Sequence, residues 1–232
     1  MDLRLGWDLG LPADQAEAEK RLNDEKPYVL ILSPMCLAFS QLQSLNTKPE
    51  RLAELLKQGR LHLEFACRLA RQQVDRGGRV LFEHPWAATS WREPCLEALL
   101  ALEEMRRVRC DQCQFGQTAV DADGSVGPAR KATGFMTNDE IIANAVERRC
   151  FGGHQHVQLL QGRAKACEKY PPRLVAAILR ALRQSMCAAG CGEAEGLVGR
   201  DRQLVIAAVE AGSHLEEPEP LSLPNSTRAG QA

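Results

Sequence analysis

The stretch Val29-Leu30-Ile31-Leu32-Ser33-Pro34-Met35-Cys36-Leu37-Ala38-Phe39-Ser40 decides how the rest of the chain reads. Its aliphatic run predicts a short buried strand over Tyr28 to Leu32, broken at Ser33-Pro34, that delivers a cysteine into the loop at the strand's carboxyl end. In open α/β sheets that edge is where ligands bind. Further along, Pro49 to Gln73 carries Leu52, Leu55, Leu56, Leu63, Ala66, Leu69 and Ala70 at helical spacing, and Gly77-Gly78 ends the pattern. Arg79 to Glu83 then reads as a second strand, closing at His84-Pro85. Strand, long helix, strand is a βαβ unit, so the two strands are expected to be parallel. Cys36 and Glu83 then emerge at the same edge of the sheet.

Around this unit the signals are shorter. Ala13 to Asn23 carries helix formers, and Trp91 to Met105 reads as a second amphipathic helix. Val108 to Phe115 and Thr133 to Thr137 read as strands, with Gly116 to Ala129 a loop or open hairpin between them. Asp139 to Val146 is expected to be a short helix capped by Asn138, and Pro172 to about Cys187 a last helix with proline in its first turn. The organisation expected is one α/β domain over residues 1–190, followed by a polar, proline-bearing tail of low order over 191–232.

Charge and cysteine usage narrow the class. Lysine plus arginine (29) nearly balance aspartate plus glutamate (30), so a nucleic-acid partner would be met by a local basic groove, not by a bulk field. No apolar stretch approaches the ~20 residues that cross a bilayer, so no membrane role is expected. Nine cysteines, an odd number, fit free thiols and a metal site in a reducing compartment, nuclear or cytoplasmic, better than a secreted disulfide framework.

Two groups of residues carry chemistry. Cys36 is either a small buried thiol or a nucleophile at a strand end, where backbone amides lower its pKa. Glu83 either faces solvent or serves as a proton donor to something held over Cys36. Separately, Cys110-x-x-Cys113 with Cys150 and His154 has donors for a tetrahedral zinc site, and His156 stands beside them. His154-Gln155-His156, flanked by Arg148, Arg149, Arg163 and Lys165, also reads as a base or phosphate contact, or as a solvated surface.

The motifs stand in a recognisable order: Ser33-Pro34-Met35-Cys36 with Phe39-Ser40, then Phe82-Glu83-His84-Pro85, Cys113-Gln114-Phe115-Gly116, and Arg130-Lys131-Ala132-Thr133-Gly134-Phe135-Met136-Thr137-Asn138. From about Trp7 to Tyr170 this series resembles that of DNA cytosine-5 methyltransferases, in the divergent form found in phages and in domains that accompany some eukaryotic retroelements. The resemblance implies a Rossmann-like methyltransferase fold acting on nucleic acid, DNA foremost. Cys36 would attack carbon 6 of a flipped cytosine, Glu83 would hold and protonate the ring nitrogen, and S-adenosylmethionine would supply the methyl group. Ser33, Pro34, Ser40 and Arg130 would line the substrate, and Asp8 would meet the cofactor's adenine. The chain departs from the family at Met35, where a second proline is usual, and at His84, where asparagine is usual. It also lacks the phenylalanine- and glycine-rich turn that opens the family fold, so a partial parallel sheet without its first cofactor-binding strand is expected, with an irregular Cys/His-bearing segment. The alternative expectation is a non-enzymatic nucleic-acid-binding or zinc-stabilised module derived from a mobile element.

Overall fold

A computed structural model describes residues 6–40, 47–160, 163–191 and 209–210. Helix α1 (Pro12–Glu25) leads into β1 (Val29–Ser33) and a single 3-10 turn, Leu37–Phe39. Helix α2 (Pro49–Asp75) crosses to β2 (Arg79–Pro85), and a 3-10 turn (Thr89–Arg92) precedes α3 (Pro94–Leu100). Then come β3 (Arg106–Asp111), a 3-10 turn (Gln112–Phe115), the hairpin β4 (Thr118–Val120) and β5 (Val126–Pro128), and β6 (Ala132–Thr137). Helix α4 (Glu140–Val146), a 3-10 segment (Arg163–Cys167), α5 (Pro172–Ala188) and the short strand β7 (Val209–Glu210) complete the described chain.

The fold is α/β around a mixed five-stranded sheet of order β3-β6-β2-β1-β7. As the βαβ reading requires, β1 and β2 are parallel, with Leu32 opposite Phe82, and β7 adds to β1 in parallel. The other half departs from the expected parallel sheet: β6 is antiparallel to both β2 and β3, with Glu83 and Val108 opposite Phe135. The reason lies in the connection. A parallel return needs a crossover of a dozen or more residues, usually a helix, and the chain between β3 and β6 holds only a 3-10 turn and a hairpin. It doubles back and fills the slot between β2 and β3.

Side-chain alternation along the strands builds two cores. Leu30, Leu32, Val80 and Phe82 face α1, α2 and α3, together with Phe39, Phe65, Trp91 and Leu96. Val29, Leu81, Val108 and Phe135 face the other way, against Ile142 and Val146 of α4 and Leu174 and Leu182 of α5. Since Leu81 faces α4 and α5, period-two alternation puts Glu83 on that face and His84 on the other.

Several boundaries differ from the sequence reading. The helix expected over Trp91 to Met105 is confined to α3, because the segment before it winds as a 3-10 turn with Trp91 inserted under the sheet. The strand expected to reach Phe115 stops at Asp111. The N-cap of α4 is Asp139, whose Oδ1 accepts the Ile142 N–H at 3.0 Å. Asn138 instead clasps the start of β2, accepting from Val80 N at 2.8 Å and donating to Gly78 O at 2.9 Å. The expected low-order tail, apart from Cys191 and β7, lies outside the described residues. Among the described residues no helix is long and apolar enough to cross a membrane.

Candidate functional site

The carboxyl edge of β1 and β2 gathers the first group. After β1, Pro34 is buried and Cys36 opens the 3-10 turn, with Phe39 N–H donating to Cys36 O at 3.1 Å. The turn lies on α2 at Gly59, where a Cβ would meet Phe39 Cε2 at 3.1 Å and Ala38 Cβ at 3.2 Å. A side chain at residue 59 would therefore push the Cys36 turn off the helix. From β2, the buried His84 reaches into this turn: its Nε2 lies 3.0 Å from Pro34 O and its Nδ1 2.6 Å from Ser90 Oγ. A carbonyl only accepts, so Nε2 carries the proton and Nδ1 accepts from the Ser90 hydroxyl. Burial holds the ring neutral, with its pKa pushed down to about 4.

Cys36 and Glu83 are both half-buried and close enough for the carboxylate to act on the thiol. Burial first, and then the Glu83 charge, push the Cys36 thiol up to about 11, while Lys131 pulls it down. Lys131 is the cation whose charge acts on this cysteine; its Nζ donates to Cys167 O at 2.8 Å and lies 6.0 Å from the centre of the Tyr170 ring. Ser33 ends β1 on the face that Glu83 shares, and Ser40 ends the turn, its N–H donating to Leu37 O at 3.2 Å. Arg130 does not join this group. It is exposed and stands where its charge acts on His156.

Asp8 is the one residue that the resemblance assigns to S-adenosylmethionine, and its carboxylate is engaged locally. Oδ1 accepts the Gly10 N–H at 2.9 Å, closing a turn before α1, and the Asp8 N–H donates to Asp14 Oδ2 at 2.7 Å. These contacts give Asp8 a local role, closing the turn before α1.

The second group converges more tightly. Cys113 comes from the 3-10 turn after β3, which ends at Gly116 in a left-handed conformation (φ 82°). Cys150, His154 and His156 come from the segment after α4, which runs along the free edge of β3: Arg148 N–H donates to Arg109 O at 3.1 Å and Asp111 N–H to Arg148 O at 2.7 Å. Gly152 (φ 98°) and Gly153 (φ 84°) supply the left-handed backbone that turns His154 back onto Cys150. One ligand atom from each of the four lies within 4.8 Å of every other. Cys150 Sγ is 3.5 Å from Nε2 of both His154 and His156, and His156 Nε2 is 3.4 Å from Cys113 Sγ.

These separations match the coordination edges of a metal site. With zinc–sulfur near ~2.3 Å and zinc–nitrogen near ~2.1 Å, a tetrahedron has sulfur–nitrogen edges of about 3.5 Å. The His154 to His156 separation of 2.9 Å is the one short edge, and an ion between the rings would spread it. The Cys113 thiol is held up to about 11 by burial and by the Cys150 thiol beside it. Buried Asp111 braces the group from behind: Oδ2 accepts the Cys150 N–H at 2.9 Å and Oδ1 accepts from Arg109 Nε at 3.0 Å.

Thus the structure joins Cys113, Cys150 and His154, as the sequence suggested, but replaces Cys110 with His156. Cys110 is fully buried on the α4 and α5 face of β3, and lies outside the cluster. Alternation explains it: Cys110 sits in a regular strand, whereas Cys113 follows the break at Gln112. Compared with protein-family models, curated proteins and solved structures, the chain has no match.

Proposed function

We propose that the chain is a domain of the DNA cytosine-5 methyltransferase type, in which Cys36 adds to carbon 6 of a cytosine presented at the carboxyl edge of β1 and β2. The single observation that carries this reading is that Cys36, in the turn after β1, lies within reach of the charge of Glu83 on the neighbouring parallel strand β2, with the Lys131 charge acting the other way. The chemistry balances within these residues. The thiol proton passes to Glu83 and on to ring nitrogen 3, sulfur bonds to carbon 6, and the carbon 5–carbon 6 pair shifts to make carbon 5 the nucleophilic end of an enamine. Lys131 stabilises the thiolate while it forms. Because carbon 6 is hidden in a duplex stack, the base is taken out of it, which costs a few kcal/mol. Zinc is the ion proposed for Cys113, Cys150, His154 and His156, since two thiolates and two imidazoles at near-tetrahedral separations are one of its standard structural sets.

The test is covalent capture. An oligonucleotide carrying 5-azacytosine, whose carbon 6 is more electrophilic, is expected to form an adduct that survives denaturation with the wild-type chain and not with Cys36→Ala. No adduct, or one that persists in Cys36→Ala, removes the reading. A second reading, a zinc-held binding module without catalysis, is favoured by the high pKa of Cys36 and by the local engagement of Asp8. It predicts oligonucleotide binding with no adduct.

A further inference from the structure

Phe151 is the most exposed large apolar residue among those described, at 95%, and it sits inside the Cys/His loop. It follows Cys150, whose N–H is held by Asp111 at 2.9 Å, and precedes Gly152 and Gly153, around whose Cβ positions there is open space. His154 and His156 then return to within 3.5 Å of Cys150 Sγ. The loop is therefore held at both ends, and the ring stands in solvent. Exposed Arg149 immediately precedes the ligand cysteine, and exposed Arg130 lies within electrostatic range of His156. Arg148 is engaged, donating to Asn144 O at 3.1 Å and Glu147 O at 2.8 Å.

A single ring offers on the order of 200 Å², far short of the roughly 800 Å² per partner of a protein interface. It does match one nucleobase, and the exposed Arg130 and Arg149 match the phosphates on either side of it. We propose that the Cys150–His156 loop is a contact tip for single-stranded nucleic acid, on which one base stacks against Phe151 while Arg130 and Arg149 meet the backbone. This rests on nucleic acid being the partner class of the chain, and places a second contact away from Cys36. The tip holds an unpaired or looped strand, whereas Cys36 and Glu83 act on the base.

The experiment uses the zinc-loaded chain carrying Cys36→Ala, so that binding is read apart from covalent chemistry, with a labelled single-stranded oligodeoxynucleotide of mixed sequence followed by fluorescence anisotropy. Phe151→Ala is expected to weaken binding about tenfold, and Phe151→Trp to keep it. Phe151→Leu, apolar but without a ring face, is expected to resemble Phe151→Ala. Arg130→Ala and Arg149→Ala are each expected to lower the slope of log K against log salt by about 1. Zinc content and thermal midpoint equal to the parent's show that the variants fold. Unchanged affinity in Phe151→Ala, or parental affinity in Phe151→Leu, overturns the proposal. Neither result bears on covalent capture at Cys36, which is measured separately.

Discussion

His84 Nε2 lies 3.0 Å from the carbonyl oxygen of Pro34, so the strand that carries Glu83 is tied directly to the loop that carries Cys36. The tie is fully buried, with Ser90 on the second nitrogen at 2.6 Å and Phe82 and Trp91 around the ring. His84, at the position where the motif series it resembles has asparagine, is thus a structural residue with defined partners.

Its pKa of about 4 makes this tie sensitive to acid. In the unfolded chain the group titrates near ~6.5, so between these values the unfolded state binds a proton that the folded state refuses. The contribution is complete above about pH 6.5, is lost as the pH falls towards 4, and changes no further below that. The loss is on the order of 3 kcal/mol. Urea denaturation at pH 7 and at pH 5 is expected to show a clear drop in midpoint, and His84→Gln to flatten that pH dependence while lowering stability at pH 7.

The metal site makes a prediction that separates His156 from Cys110. Purified chain is expected to hold one zinc by elemental analysis, with Cys150→Ser and His156→Ala losing it and Cys110→Ser retaining it. Asp111→Ala, which removes the acceptor for the Cys150 N–H, is expected to weaken zinc roughly 10- to 100-fold in a chelator competition. Retention in His156→Ala with loss in Cys110→Ser would reverse the ligand assignment.

Cys36 reactivity reports its neighbours with opposite signs. Burial and Glu83 raise its pKa and Lys131 lowers it. Glu83→Gln is therefore expected to speed alkylation by iodoacetamide at pH 8, and Lys131→Met to slow it, each by several-fold. Peptide mapping assigns the rate to Cys36, since nine cysteines are present.

Gly134 tests the packing behind the site. A Cβ there would lie 2.8 Å from Trp91 Cζ2, and that ring is held by its Nε1–H donating to Pro85 O at 2.8 Å. Gly134→Ala is expected to cost roughly 1–3 kcal/mol, seen as a lower thermal midpoint, and Trp91→Phe in the same chain to return part of it.

How much of this was legible in the sequence depended on whether the signal was local. The run Val29 to Leu32, the long apolar stripe of α2 and the Gly77-Gly78 stop are local patterns, and they placed Cys36 and Glu83 at one edge correctly. The antiparallel insertion of β6 is not local: it depends on β2 and β3 leaving a slot one strand wide, which no periodicity records. His156 was read beside the cluster but ranked behind Cys110 as the fourth ligand, because Cys110-x-x-Cys113 looks like the stronger half-site. The counter-signal was Gln112-Cys113-Gln114-Phe115-Gly116, where the closing glycine marks a turn that holds Cys113 and leaves Cys110 on the strand before it. Lys131 was passed over for Arg130 because adjacent cations on a loop are indistinguishable until the backbone shows that one points to Cys167 and the other lies near His156.

The central claim, that Cys36 adds reversibly to carbon 6 of cytosine while Glu83 relays the proton to ring nitrogen 3, is tested most directly without a methyl donor. An enamine formed at carbon 6 takes a proton from water at carbon 5, and its collapse releases either hydrogen. An oligonucleotide deuterated at carbon 5 of its cytosines, incubated with the chain and analysed by mass spectrometry, is expected to lose deuterium with wild type and to keep it with Cys36→Ala and Glu83→Gln. Full retention of deuterium with wild type, or equal loss with Cys36→Ala, would contradict it.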